Sequence, residues 1–106
     1  MKVLKRLKDS RYILIVARWE GRLFLYLKDR KEGTESLGLI GEKELPEVEE
    51  LWKKYLRDRN FCLPCELLLL PELKVLRGGN SVAEIGLTLE RLERFKKEVE
   101  DEGAQL

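Results

Sequence analysis

Residues 11–28 read RYILIVARWEGRLFLYLK, and how this stretch folds back on itself decides the architecture. Two runs rich in β-branched, aromatic and leucine side chains, Arg11 to Ala17 and Arg22 to Lys28, flank a short polar segment, which is the pattern of a β-hairpin. Gly21 is the natural place for a left-handed backbone, because it has no Cβ to clash there. Setting Trp19 and Glu20 in a type I turn, with Gly21 as the bulge that follows, pairs Arg18 with Arg22. That register gathers Ile13, Ile15, Ala17, Leu23, Leu25 and Leu27 on one wholly apolar face directed at the core. It leaves Tyr12, Leu14, Val16, Arg18, Arg22, Phe24, Tyr26 and Lys28 on the other. A two-residue loop of Glu20 and Gly21 would mix the two faces, so the bulged register is the expected one.

Outward from the hairpin, residues Lys2 to Lys8 fit a further strand turning at Asp9-Ser10, although Val3, Leu4 and Leu7 also fit a helical turn. Glu35 to Ile40 reads as a strand after the polar loop Asp29 to Thr34. A helix follows with Pro46 in its first turn, Glu47, Glu49 and Glu50 near its positive end, and an apolar stripe of Val48, Leu51, Trp52, Tyr55 and Leu56. Glu66 to Leu70 reads as a buried strand. Leu73 to Arg77 and Val82 to Leu87 read as a hairpin across Gly78-Gly79-Asn80-Ser81. The chain then closes with a helix from about Leu89 to Asp101, capped by Thr88, with Leu89, Leu92, Phe95 and Val99 inward. The expected fold is a single α+β domain over residues 1–106, a mostly antiparallel sheet with two helices packed on one face.

Composition bounds the chemistry. Charged residues make up 39% of the 106, there is no histidine, and amides are few, a bias shared with hyperthermophile proteins. Without histidine, no Ser-His-Asp or Cys-His mechanism can operate within this chain. No apolar run approaches a membrane span, and the charged start Met1 to Lys8 lacks the apolar stretch of a secretory signal, so a cytoplasmic, non-membrane protein is expected. The net charge of +1 hides an uneven distribution: residues 1–31 hold ten basic against three acidic side chains, whereas the later two thirds are acidic.

Four constellations bear on function. Cys62-Leu63-Pro64-Cys65 resembles the Cys-x-Pro-Cys of thioredoxin-type oxidoreductases, but here it leaves a helix and opens an apolar strand, so no helix dipole would assist a thiol. The pair is compatible with incidental buried thiols, a local disulfide between Cys62 and Cys65, a zinc site pooled across a dimer, or redox chemistry. Ser81 to Thr88 running into Leu89 to Lys97 has the outline of a helix-turn-helix, but its second helix is too acidic for a phosphate-lined groove. Glu72-Leu73-Lys74 carries the acid-x-Lys triplet of metal-dependent nucleases without a neighbouring acid on an adjacent strand.

The fourth is the hairpin face carrying Tyr12, Arg18, Arg22, Phe24, Tyr26 and Lys28, where rings sit beside cations. Protein interfaces are enriched in this composition, and platforms that stack single-stranded RNA or DNA also use it. It is equally what a sheet face covered by the chain's own helix would show. The sequence therefore suggests a non-enzymatic binding module, without cofactor or metal, that uses this face to form a homodimer or hold a protein partner. Nucleic-acid binding through the same residues is the alternative.

Overall fold

Glu20 and Gly21 carry positive φ angles of 51° and 75°, and Trp19 pairs with Arg22 across them. The hairpin therefore closes on a two-residue turn with both central residues left-handed, the geometry that matches the right-handed twist of the strands. This corrects the bulged register. Pairing runs Leu14 with Leu27, Val16 with Leu25 and Ala17 with Phe24, so every residue of one strand is shifted by one against the other. The space where a Cβ on Gly21 would sit is empty, so Gly21→Ala isolates the backbone cost of a left-handed residue. We expect it to lower stability by roughly 1–2 kcal/mol, read by thermal or denaturant melting.

The computed structural model describes residues 1–76, 89–104 and 106. Strands β1 (Lys2–Lys8), β2 (Tyr12–Trp19), β3 (Arg22–Asp29), β4 (Thr34–Leu39) and β5 (Lys74–Leu76) form one antiparallel sheet in that spatial order. Between β4 and β5 come a 3₁₀ turn over Glu42–Glu44, helix α1 (Leu45–Arg57) and short helix α2 (Leu63–Leu67); helix α3 (Leu89–Asp101) follows. The α+β class and the antiparallel sheet are as expected from the sequence.

The helices divide between the two faces of the sheet. On the first face Tyr12, Leu14, Val16, Leu23, Leu25 and Leu27 pack with Val48, Trp52 and Tyr55 of α1 and Leu63 and Leu67 of α2. On the second, Ile13, Ile15, Ala17, Trp19, Phe24 and Tyr26 pack with Phe95 and Val99 of α3. The expectation of both long helices on one face is thus replaced by one on each. The cause lies in β2, which is apolar at every position from Tyr12 to Ala17. A strand greasy on both sides must be covered on both sides.

Local signals explain the rest. Pro46 sits in the first turn of α1, where its missing N–H and fixed φ cost nothing, and Trp52 is core as expected. A bulge between Val3 and Lys5 lets β1 direct Val3 to the second core and Leu4 and Leu7 to the first. Residues 66–70 do not form a buried strand. Pro64 starts α2, whose N-cap is Cys62, and the leucine run divides at helical spacing, with Leu67 and Leu70 inward and Leu68 and Leu69 outward. The expected strand from Leu73 is present as β5. Its partner Val82 to Leu87, the turn at Gly78 to Ser81, the helix-turn-helix outline and the Thr88 cap lie outside the described residues.

Candidate interaction surface

The new register scatters the expected hairpin face. Tyr12 and Arg18 belong to the first face, whereas Arg22, Phe24, Tyr26 and Lys28 belong to the second. Every aromatic ring of the set is core. Tyr12 is 2% exposed and meets Tyr55 edge-on at 5.0 Å, while Phe24 is 1% exposed and Tyr26 fully buried. Phe24 lies 5.3 Å from Trp19 and 5.7 Å from Phe95, and Tyr26 stacks on Phe95 at 6.1 Å. α1 therefore covers Tyr12, and α3 seals Phe24 and Tyr26, the rings that were expected to contact a partner.

The cations of the set stay at the rim. Arg18 is exposed and ion-paired with Glu42, and Arg22 is exposed beside the hairpin turn. Lys28 is half-buried and opposite Glu35 on β4. Glu35 also accepts from the Tyr26 hydroxyl and pairs with Lys96 of α3 at 2.9 Å. Burial pushes the Glu35 carboxyl up, but the Tyr26 hydrogen bond and the Lys96 ammonium outweigh it and hold the carboxyl below its usual range. Burial first, and then the bond to Glu35, raise the Tyr26 phenol far above its usual value.

Ion pairs also tie the N-terminal third of the chain to later elements. Basic residues of the N-terminal third meet acids of the middle third, Lys5 with Glu49 and Arg18 with Glu42. Acids of the N-terminal third meet later cations: Asp9 pairs with Arg59, and Glu20 with Arg91 and Arg94. Of the cations in the basic stretch, Lys5 and Arg18 are thus tied to acids of later elements.

The turn that follows α2 is different. Leu68 is 46% and Leu69 73% exposed, and the only other large apolar side chain exposed among the described residues is Leu56, at 43%. Beside Leu69 runs an open groove of about 390 Å³ whose apolar parts are Pro46, Leu51, Leu69 and Leu70, with Glu47, Glu50, Lys54 and Glu66 along it. On the other flank Leu68, Pro64 and Leu67 border a smaller apolar hollow of about 80 Å³ against Leu25, Leu37 and Leu73. Sequence reasoning missed this ridge because four consecutive leucines have no periodicity. The usable signal was Pro64 at a helix start, which implies inward positions three apart.

Cys62 and Cys65 form a disulfide across α2, with their Cα atoms 5.3 Å apart, and both residues are exposed. The pair opens a short helix rather than the expected strand. Glu72 donates its backbone N–H to Glu44, and Lys74 begins β5, so the acid-x-Lys triplet serves a turn and a strand start. Among the described residues no group of three or more Cys, Asp or Glu stands ready to hold a metal ion, and no helix is long and apolar enough to cross a membrane. Set against family models, curated proteins and solved structures, the chain matches none of them.

Proposed function

We propose that this protein is a non-enzymatic, cytoplasmic interaction module that associates with a second copy of itself through the leucine ridge of Leu68 and Leu69, in the turn that follows α2. The carrying observation is Leu69, 73% exposed at the border of an apolar groove. A two-fold contact uses the same patch on both subunits, so a projecting side chain and a receptive groove must lie side by side on one surface. Leu69 supplies the projection; Pro46, Leu51 and Leu70 supply the groove. The rim carries both signs, Glu47, Glu50 and Glu66 with Lys54, so a copy's own rim can complement it.

The β1 edge of the sheet is a competing site for self-association, and it is poorly suited. β1 is an edge strand with Lys2, Lys5, Arg6 and Lys8 along it and a bulge within it. Cations and bulges are what keep sheet edges from pairing with one another.

Light scattering on the wild-type chain at roughly 10–50 µM is expected to give twice the 12.5 kDa chain mass, since standard-size interfaces bind at micromolar or tighter. Leu69→Asp should give the monomer mass while keeping its melting midpoint, extrapolated to low concentration, within about 0.5 kcal/mol of wild type. A monomeric wild type, or a variant that still dimerises, would overturn the proposal.

A further inference from the structure

The Cys62–Cys65 bridge is not used by the dimer contact proposed above, and three features set it apart from a structural staple. Both cysteines are exposed, so a reagent can reach the sulfurs. The closed loop is very short, with a sequence separation of 3, which puts its constraint on the unfolded chain at the low end of what disulfides contribute. α2 also has anchors of its own. Leu63 is fully buried and Leu67 nearly so, and the amides of Glu66 and Leu68 donate to the carbonyls of Cys62 and Pro64 at 3.2 and 3.1 Å. Opening the bridge leaves these contacts in place.

We propose that Cys62–Cys65 is a reversible thiol–disulfide exchange site whose co-substrate is a soluble dithiol, with Cys62 as the leaving and attacking sulfur. The direction comes from one hydrogen bond. The backbone N–H of Cys65 donates to Cys62 Sγ at 3.3 Å, so negative charge developing on that sulfur is stabilised.

In reduction, one thiolate of the dithiol attacks Cys65 Sγ. A mixed disulfide forms there, the Cys62–Cys65 bond breaks, and its electron pair leaves on Cys62 Sγ. The second thiolate of the reductant then attacks its own sulfur in the mixed disulfide and expels Cys65 as a thiolate. Two electrons pass to the protein, the two cysteine thiolates take up the two protons released by the reductant, and the dithiol ends as its internal disulfide. Oxidation runs the same steps backwards: the Cys65 thiolate attacks the oxidised dithiol to form the mixed disulfide, and the Cys62 thiolate then attacks Cys65 Sγ, closes the bridge and expels the dithiol.

The full-length native protein is to be equilibrated in mixtures of reduced and oxidised dithiothreitol at neutral pH, quenched with acid, and its free thiols counted by alkylation and mass spectrometry. The expected result is a titration from no free thiols to both, identical in the two directions, with far-UV circular dichroism unchanged. Single variants then separate the sulfurs, using an aromatic disulfide probe on Cys65→Ser and Cys62→Ser. A thiolate favoured by that hydrogen bond gains more in population than it loses in nucleophilicity, so Cys62 should react faster than Cys65. A bridge that opens only in denaturant would overturn the proposal, as would thiols that stay free in excess oxidised dithiothreitol. Equal or inverted reactivity of the two variants would overturn the role given to Cys62, and the wild-type titration stands as the test should either variant misfold.

Discussion

Phe24→Asp is expected to leave no cooperatively folded protein at 25 °C. The ring is 1% exposed and sits among Trp19, Phe95 and Tyr26 between the sheet and α3. Removing a buried phenylalanine side chain costs about 3–5 kcal/mol through lost transfer energy and the cavity left behind. The carboxylate placed there is surrounded by the rings of Trp19, Tyr26 and Phe95, and burying it, ionised or protonated, adds several kcal/mol more. The sum is comparable with the roughly 5–15 kcal/mol that holds a domain of ordinary stability together. Circular dichroism and a thermal melt read the outcome, with Arg22→Asp as the control. Arg22 pairs with Trp19 in the same hairpin but is exposed, so its replacement should move stability by about 0.5 kcal/mol or less. A folded Phe24→Asp protein with a wild-type midpoint would mean that α3 does not cover this face.

The pair of variants also tests where the sequence was readable. The hairpin, α1 from its proline onward, and α3 with Phe95 and Val99 inward all follow from periodicity and end signals of long elements. What failed was a choice between two turns differing by one residue. Because side chains alternate along a strand, that slip carried Phe24 and Tyr26 from the side of Ile13 and Ile15 to that of Tyr12 and Leu14. The argument for the bulged turn was that it made one face cleanly apolar. That argument assumed a sheet with one wet face, whereas β2 is apolar at six consecutive positions and so calls for cover on both.

The candidate surface was less readable still, for a reason of scale. Leu67 to Leu70 is identical at each position, so only the phase set by Pro64 and the Cys62 cap decides which leucines face water. A short helix of this kind takes its phase from tertiary packing, since too few residues are involved for propensity to decide it. The charge distribution along the chain likewise says nothing of its pairing in space, where Lys5, Arg18, Asp9 and Glu20 each find an opposite charge from a later element.

Asp9→Ala is expected to destabilise the protein by about 3 kcal/mol, a fall in melting midpoint of roughly 10–20 °C. The carboxylate sits in the β1–β2 turn with its side chain 9% exposed. One oxygen accepts from the backbone N–H groups of Arg11 at 2.9 Å and Tyr12 at 2.7 Å; the other accepts from the Tyr55 hydroxyl and the Arg59 guanidinium. A single side chain thus closes the turn and ties it to α1, and truncation leaves the Tyr55 hydroxyl and two amides without that partner. Partial burial pushes the Asp9 carboxyl up, but its two amide bonds, the Tyr55 hydroxyl and Arg59 outweigh this, so it titrates below the usual 3.8. A carboxyl whose folded value is depressed contributes stability that is fully present above the unfolded value and is lost as pH falls through the folded one. Asp29, held down by Arg11 and the amides of Glu32 and Lys31 against its own burial, acts in the same direction. Wild-type stability should therefore decline below about pH 4, and the gap between wild type and Asp9→Ala should narrow between about pH 5 and pH 2. A gap that stays constant across that range would show that the loss comes from altered turn geometry and owes nothing to the charge.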